Sequence, residues 1–203
     1  MPGGDPSTHC CAVILSGGLN SRMGGRNKAL LEFDGQRMLD RVLAALDGLF
    51  EEILIVSRDP GAYSRWPIRV VADIFEARSS LTGVHAGLTR CRAPYAFVVP
   101  CDAPFLKKAL IQMLLEAIRP ELDAVVPFHN GCYQPLCAVY SKRCLGPIEA
   151  QLARGNLKII DFFDRIHLQR VPSETLQQAD PTLQSFINVN TPEALEACRR
   201  RIG

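Results

Sequence analysis

A short apolar run that ends in a glycine-rich loop constrains this chain more strongly than any other feature. Residues 11–14 read Cys-Ala-Val-Ile and run directly into Leu-Ser-Gly-Gly at 15–18, a pattern that predicts a buried strand feeding a loop. Glycines stand at positions 17, 18, 24 and 25. Because glycine lets the backbone approach a ligand with its N–H groups pointing inward, such a loop can form a concave site for anions such as phosphate.

Two basic side chains accompany the loop. Arg22 offers a planar guanidinium fork and Lys28 a point charge, and both suit a polyphosphate. The stretch is not a P-loop, because Ala29 follows Lys28 where that motif has Ser or Thr, and its glycines do not have the G-x-G-x-x-G spacing of dinucleotide-binding domains. On this loop alone, an ordinary glycine-rich turn with solvated basic residues is the alternative.

Apolar segments alternate with helical patterns along the rest of the chain. Such alternation predicts an α/β fold in which a parallel sheet is covered by helices on both faces, and 203 residues fit one such domain. Asn130-Gly131 is a strong hairpin signal and predicts an antiparallel addition to the sheet. We expect a disordered extension over residues 1–9 and a single domain over 10–203.

The pattern also predicts where the individual elements lie. The predicted helices span 38–50, 81–91, 110–118 and 146–152. The predicted strands after the loop span 52–57, 68–72, 95–99, 123–128, 133–140 and 166–171, with a short extended piece at 29–33. A last helix begins near residue 192.

Polar residues stand where the predicted strands end, at Ser16, Ser57, Asp73 and Asp102. Ligands of parallel sheets bind beyond the carboxyl ends of the strands, so these side chains are expected at one binding edge. For a strand-end aspartate taken alone, a helix cap or a turn is the alternative role. Asp102 differs, because prolines at 100 and 104 fix its direction, and a rigid carboxylate suits Mg²⁺.

Charge and cysteine usage exclude several classes of protein. A net charge of +2 is too small for nucleic-acid binding by bulk electrostatics. The eight cysteines form no C-x-x-C pair, so a cysteine-based metal protein is a weak alternative. With no signal peptide and no apolar run of membrane-spanning length, we expect a cytoplasmic protein that has reduced thiols and no membrane contact.

The loop resembles the signature of the molybdenum cofactor guanylyltransferases, which typically show L-A-G-G followed by R-M-G-G-x-D-K. Here Ser16 replaces the alanine and Asn27 the aspartate. Further segments match the same family: P-C-D-x-P at 100–104, Q-P-L at 134–136 and F-x-N-V-N-T-P-E at 186–193. Residues 79–88 stand in place of the family's G-P-L-A-G segment, with Gly83 and Gly87 one helical turn apart and expected to pack closely on the nucleotide loop.

The resemblance implies a three-layer α/β/α domain with a Rossmann-like, mostly parallel sheet, like that of the nucleotide-diphospho-sugar transferases. It also implies the roles of individual residues. The catalytic residues would be Arg22, Lys28 and Asp102, with Asp102 as the Mg²⁺ ligand. The nucleotide would contact Leu15, Ser16, Gly17, Gly18, Lys28, Ser57, Asp73 and Asp102. The second substrate would meet Gln134, Asn188 and Asn190.

The implied reaction is transfer of GMP from GTP to the phosphate of molybdopterin-bound molybdenum, which gives the guanine dinucleotide cofactor and pyrophosphate. Glycine pairs at 17–18 and 24–25 follow the guanylyl pattern, whereas cytidylyl-transferring relatives usually carry Ala-Gly and a single glycine. The resemblance further implies molybdenum-insertion proteins, and molybdoenzyme apoproteins or their chaperones, as partners.

Other functions stay open at this point. Within enzymes, the chain could be a cytidylyltransferase or a sugar-phosphate nucleotidyltransferase, although its length argues against the sugar enzymes. From another class, it could be a nucleotide-binding cofactor carrier without turnover. Asn27, Ser79 and Ser80 keep the carrier open, because they depart from the family pattern, while Arg22 and Lys28 argue against it.

Overall fold

The computed structural model describes residues 10–16 and 27–189. Eight strands of this part form one sheet, and two short strands, β2 and β3, form a separate hairpin. The strands are β1 (Cys10–Leu15), β2 (Glu32–Phe33), β3 (Gln36–Arg37), β4 (Ile53–Val56), β5 (Arg69–Val71), β6 (Tyr95–Pro100), β7 (Ala124–His129), β8 (Cys132–Tyr133), β9 (Ala138–Ser141) and β10 (Leu168–Pro172).

The large sheet has the order β10-β7-β9-β6-β1-β4-β5, with β8 attached to β7. β1 lies at its centre and pairs in parallel with β4 and β6, and β4 pairs in parallel with β5. β9 runs antiparallel to both β6 and β7, and β8 runs antiparallel to β7. The prediction of a mostly parallel sheet with an antiparallel addition is confirmed.

Helices cover both faces of this sheet, as predicted. They are α1 (Met38–Leu46), α2 (Ser80–Arg90), α3 (Lys108–Glu116), α4 (Leu145–Leu152) and the short α5 (Ser173–Leu176). β1 alternates between the two cores: Ala12 and Ile14 share one with α1 and α3, whereas Val13 and Leu15 share the other with α2 and α4. Period-two alternation of apolar side chains on a central strand therefore produces the three layers.

α2 packs directly on β1 through its two glycines. A Cβ built on Gly87 overlaps Cγ1 of Val13 and lies 3.0 Å from Cγ2 of the same side chain. A Cβ on Gly83 approaches Cδ2 of Leu15 to 3.3 Å. The close packing of these glycines was predicted, but the described contacts fall on the strand that precedes the nucleotide loop.

The largest departure from the predicted elements concerns residues 133–140, which do not form one strand. β8 ends at Tyr133, Pro135 follows in a turn, and β9 begins only at Ala138. Pro135 has no backbone N–H to donate to a ladder, and the Cys137 N–H instead closes the turn on the Gln134 carbonyl at 3.1 Å. The Asn130-Gly131 turn is present, with φ of 51° and 73°.

Two further boundaries differ from the sequence prediction. Residues 29–33 were expected to be extended, yet a 3₁₀ turn at Lys28–Leu30 precedes β2, because the Asn27 side chain accepts a hydrogen bond from the Ala29 N–H. α1 ends at Leu46 instead of reaching residue 50, and Gly48 then takes φ of 69°. The helix expected from residue 192 lies outside the described residues. Among the described residues, no helix is long and apolar enough to span a bilayer.

Candidate active site

The carboxyl ends of four neighbouring strands form one edge of the sheet. The Ser16 N–H donates to the Val56 carbonyl of β4 at 2.9 Å, and the Ser57 N–H donates to the Val71 carbonyl of β5 at 2.9 Å. On the other side of β1, the Cys101 N–H donates to the Leu15 carbonyl at 3.0 Å. These bonds place the residues that follow β1, β4, β5 and β6 side by side, as the sequence predicted for Ser16, Ser57, Asp73 and Asp102.

Lys28 and Asp102 form an ion pair at this edge. Nζ of Lys28 lies 3.1 Å from Oδ2 of Asp102, and the two side chains are 22% and 10% exposed. Because the pair is largely shielded from solvent, its charges interact more strongly than a surface pair would. The pair joins the residues that follow the glycine-rich loop to the residues that follow β6, so two of the three predicted catalytic residues lie together.

Ser57 and Asp73 reach the edge, but local bonds occupy their side chains. The Ser57 hydroxyl is buried and accepts from the Asp59 N–H at 3.2 Å. Asp73 accepts from the Phe75 N–H at 3.2 Å and from the Thr82 hydroxyl at 2.7 Å. Both side chains therefore form turns here, which for Asp73 is the alternative that the sequence left open, and their contact with a nucleotide stays a prediction.

Ser79 stabilises the start of α2, next to Asp73. Its hydroxyl accepts from the Thr82 N–H at 3.1 Å, while the Thr82 hydroxyl accepts from the Ser79 N–H at 3.3 Å. This reciprocal capping box gives α2 a stable start where the family pattern has glycine and proline. The departure at residue 79 therefore has a structural explanation that does not require loss of activity.

Part of the predicted site lies outside the described residues: Gly17, Gly18, Arg22 and Asn190. The residues that flank the loop are described, and both contact the hydroxyl of Tyr63. Oγ of Ser16 lies 2.5 Å from it, and Nδ2 of Asn27 donates to it at 2.9 Å. Sequence reasoning missed Tyr63, and the only available signal was that Ser16 and Asn27 are the two departures from the family motif.

A cavity of 160 Å³ lies near the end of β6 and is lined in part by Pro100, two residues before Asp102. Gln134 and Asn188, two of the three residues predicted to meet the second substrate, both line it. The Val189 N–H donates to the Asp102 carbonyl at 2.9 Å, which anchors the Asn188 segment next to Asp102. The full lining consists of Pro100, Gln134, Pro135, Leu136, Cys137, Ser185, Phe186 and Asn188.

Buried polar groups hold the walls of this cavity. Asp180 is completely buried and accepts from the Ser185 N–H at 2.9 Å, with Nζ of Lys107 at 3.4 Å. Burial alone would raise the pKa of Asp180, but the bonds from Ser185 and the charge of Lys107 outweigh it and hold the pKa below its ordinary value. The Tyr140 hydroxyl donates to the Pro135 carbonyl at 2.7 Å. An aspartate before a proline is typical of any turn, so the sequence did not reveal Asp180.

One histidine and several cysteines that could carry chemistry are buried in the protein interior. His85 is buried, and its Nε2 lies 2.9 Å from Oε1 of Glu149 between α2 and α4. Burial raises the pKa of the Cys101, Cys137 and Cys144 thiols to about 12. Thiols in such surroundings stay protonated and are poor metal ligands. Among residues 10–16 and 27–189, no three His, Cys, Asp or Glu side chains group together as a metal site.

Known proteins are similar to this chain over most of its length. Residues 12–171 match the family model described as "MobA-like NTP transferase domain". A molybdenum cofactor guanylyltransferase from Desulfosudis oleivorans is 40% identical over 94% of each chain, and a probable one from Natranaerobius thermophilus is 36% identical over 95% of this chain and 96% of its own.

A solved structure agrees with these relatives. The crystal structure of molybdopterin-guanine dinucleotide biosynthesis protein A from Archaeoglobus fulgidus superposes with a TM-score of 0.83 at 27% identity, covering 95% of this chain and 98% of that one. A match of this extent includes the sheet whose edge carries Lys28 and Asp102. The chain therefore belongs to the MobA-like NTP transferases, as a member of the molybdenum cofactor guanylyltransferase family of nucleotidyltransferases.

Proposed function

We propose that this protein transfers GMP from GTP to the phosphate of molybdopterin-bound molybdenum and releases pyrophosphate. The observation that carries the proposal is the position of the Lys28–Asp102 pair. The pair lies at the carboxyl edge of β1 and β6. Lys28 follows the glycine-rich loop in the sequence, and the Asp102 carbonyl accepts from the Val189 N–H, next to Asn188 in the cavity wall. A nucleotide and a second substrate can meet at such a position.

On the nucleotide side, Lys28 supplies positive charge for the triphosphate. Only 22% of its side chain is exposed, so little water screens its attraction for a phosphate. Leu15 and Ser16 begin the loop at the strand end, where backbone groups can contact the nucleotide. The proposal adds Arg22, Gly17 and Gly18 from the loop, and Ser57 and Asp73 from the neighbouring strand ends.

Asp102 fits a magnesium ion. Mg²⁺ is commonly held by one or two carboxylates together with phosphate oxygens and waters, and a single rigid carboxylate at this edge meets that requirement. The residue is held from both sides, since Cys101 donates to Leu15 and Val189 donates to the Asp102 carbonyl. When bound, the ion supplies charge neutralisation on the phosphate oxygens. Lys28 would then exchange its carboxylate partner for the phosphates.

The chain has to align the reactants and neutralise charge. A phosphate oxygen of the second substrate attacks the α-phosphorus of GTP, the bond from that phosphorus to the bridging oxygen breaks, and pyrophosphate leaves with the electron pair. A phosphate monoester is already ionised at neutral pH, so the step requires no general base. Gln134 and Asn188 offer amide groups to the second substrate, and the cavity they line can receive part of it.

The names of the relatives favour GTP over CTP as the nucleotide. The Lys28–Asp102 pair would suit the phosphates of GTP and CTP equally, with or without turnover. The cytidylyltransferase and the carrier therefore remain the competing functions. We further propose a cytoplasmic location, and molybdenum-insertion proteins and molybdoenzyme apoproteins or their chaperones as partners; both rest on the sequence resemblance.

Titration of the purified protein with GTP, CTP, ATP and UTP in the presence of Mg²⁺ tests the proposal. We expect GTP alone to bind at micromolar concentrations, pyrophosphate release to require molybdopterin, and Asp102→Ala to abolish Mg²⁺-dependent turnover. Preference for CTP would replace the product with the cytosine dinucleotide. GTP binding without pyrophosphate release would favour the carrier, and absence of nucleotide binding would refute the assignment of the loop.

A further inference from the structure

Tyr63 connects the two ends of the glycine-rich loop. It ends a 3₁₀ helix, Pro60–Tyr63, between β4 and β5, and it is 1% exposed. Its hydroxyl lies 2.5 Å from Oγ of Ser16, the last described residue before the loop, and accepts from Nδ2 of Asn27, the first described residue after it, at 2.9 Å. A single buried hydroxyl therefore links two residues that are eleven positions apart in the chain.

The directions of these hydrogen bonds follow from the donors. The Ala29 N–H can only donate, and it donates to Oδ1 of Asn27 at 3.1 Å, so the Asn27 amide must present its NH₂ group to Tyr63. The Tyr63 oxygen is thus an acceptor for Asn27, and its own O–H needs a different acceptor. Among the described residues, Oγ of Ser16 is the acceptor within reach.

We propose that Tyr63 is a positioning residue for the nucleotide site, an inference that rests on the proposed function. By holding Ser16 and Asn27 at a fixed separation, its hydroxyl sets where the loop begins and where Lys28 follows it. The orientation of Lys28 determines whether Nζ lies near Asp102, at 3.1 Å, and near the phosphates of the nucleotide. Tyr63 itself touches no substrate and acts through its two neighbours.

The same chemistry makes positions 16 and 27, the two departures from the family motif, depend on each other in this chain. With an aspartate at position 27, both side-chain oxygens accept, so the tyrosine O–H is satisfied by that carboxylate and an alanine at position 16 suffices. With Asn27, the tyrosine O–H loses that acceptor, and Ser16 provides one. Ser16 and Asn27 are therefore a compensating pair that share the Tyr63 hydroxyl.

The test compares five variants: Tyr63→Phe, Ser16→Ala, Asn27→Asp, the double variant Ser16→Ala/Asn27→Asp, and Tyr95→Phe as the control. The control also loses a tyrosine hydroxyl, which donates to the Arg119 carbonyl at 3.3 Å, at the opposite end of the sheet. For each variant, KM for GTP and kcat are measured separately from pyrophosphate release. Hydrogen exchange of the Ala29 amide and the midpoint of urea unfolding are measured on the same samples.

We expect Tyr63→Phe and Ser16→Ala each to raise KM for GTP by about tenfold, the upper end for one lost neutral hydrogen bond, with a smaller change in kcat. The double variant is expected to recover most of the loss seen in Ser16→Ala. The Ala29 amide should exchange faster in Tyr63→Phe, since Asn27 is no longer held, and Tyr95→Phe should leave KM and exchange unchanged.

Two results would overturn the inference. One is an equal effect of Ser16→Ala on KM for GTP in the wild-type protein and in the Asn27→Asp variant, because the two positions would then be independent. The other is a lower unfolding midpoint for Tyr63→Phe with KM unchanged, which would make the hydroxyl purely structural. If the wild-type protein turns over no nucleotide, the proposed function fails, and Ala29 exchange alone decides: faster exchange in Tyr63→Phe supports the Tyr63 contact, and unchanged exchange refutes it.

Discussion

The strand-end edge that carries Lys28 and Asp102, where we propose that the nucleotide binds, and the cavity lined by Gln134 and Asn188 are held by different kinds of interaction. The edge is formed by four parallel strands in register, where backbone bonds such as Ser16 to Val56 fix the strand ends. The cavity is formed by residues near positions 100, 134 and 186, and its turns are held by side chains, including Asp180 and Tyr140. Regular strand pairing fixes the first region, whereas single bonds outside any ladder, from side chains and from isolated backbone groups, fix the second.

Substitutions in the two regions should therefore change different kinetic constants. A substitution of Lys28 or Asp102 at the edge removes charge from the place where we propose that the phosphates react, and should change kcat. A substitution in the cavity wall removes a contact with one substrate, and should change the KM of that substrate.

Asp102→Asn is expected to produce the largest effect. It keeps the shape of the side chain but removes the charge that pairs with Lys28 and fits Mg²⁺, so we expect kcat to fall by about 10²–10³-fold, as for other single electrostatic groups at a reacting centre. Steady-state pyrophosphate release measures it, and circular dichroism checks the fold. Unchanged kcat would mean that Asp102 holds no catalytic metal.

The packing of α2 on β1 gives a second prediction, on the stability of the edge itself. Gly87→Ala forces a methyl group into Val13, which is β-branched, fully buried and unable to move aside. We expect it to lower the free energy of unfolding by about 1–3 kcal/mol, even after the gain in helix propensity.

Gly83→Ala is the matched control for this substitution, because it lies one turn away in α2. Its added methyl group meets only the flexible end of Leu15 at 3.3 Å, so its cost should be smaller than that of Gly87→Ala. Urea unfolding of both variants measures the difference. Equal stability of the two would show that the contact between Val13 and Gly87 does not limit how closely α2 approaches β1.

Gln134→Ala tests the cavity. The backbone bonds of this residue, its N–H to the Pro127 carbonyl and its carbonyl from the Cys137 N–H, survive the substitution, so the turn should persist. We expect KM for molybdopterin to rise by about tenfold, the loss of one or two hydrogen bonds, while KM for GTP stays constant. Gln178→Ala, at an exposed glutamine outside the cavity, is the control. A rise in KM for GTP alone would contradict the separation of the two regions.

The contrast between the regions also explains what the sequence could predict. The strand ends were predictable for two reasons. Apolar runs in the local sequence mark the strands, and ligands of parallel sheets bind beyond the carboxyl ends of those strands whatever the side chains are. The role of Asp180 was not predictable, since it depends on a contact with Lys107, which is distant in the chain. The break at Pro135 has a local cause, the missing proline N–H, which the apolar run around it masked. Gln134 and Asn188 were found only through the family resemblance, as no periodicity marks a cavity wall.

The smallest expected effect concerns Asp180 in the cavity wall. Its ionisation should make the free energy of unfolding depend on pH. Its pKa in the folded protein lies below its ordinary value of 3.8. At a pH between these two values the unfolded chain binds a proton at Asp180 and the folded protein does not, so acid favours unfolding. The stabilisation is therefore fully present above pH 3.8 and is lost as the pH falls through the folded pKa.

Asp180→Asn isolates this contribution, because asparagine keeps the shape of the side chain and does not titrate. Asp123 and Asp161 also have lowered pKa values, but they are present in both proteins, so their contributions cancel in the difference. The difference in unfolding free energy between wild type and variant should be constant from pH 7 to about pH 4 and shrink below that. Urea unfolding across this range measures it. A constant difference throughout would mean that Asp180 keeps its ordinary pKa, and that the bonds from Ser185 and Lys107 do not favour its charged form. The charge of Asp180 would then contribute nothing to holding the cavity wall. The contrast between the two regions would lose one of the side-chain interactions on which it rests.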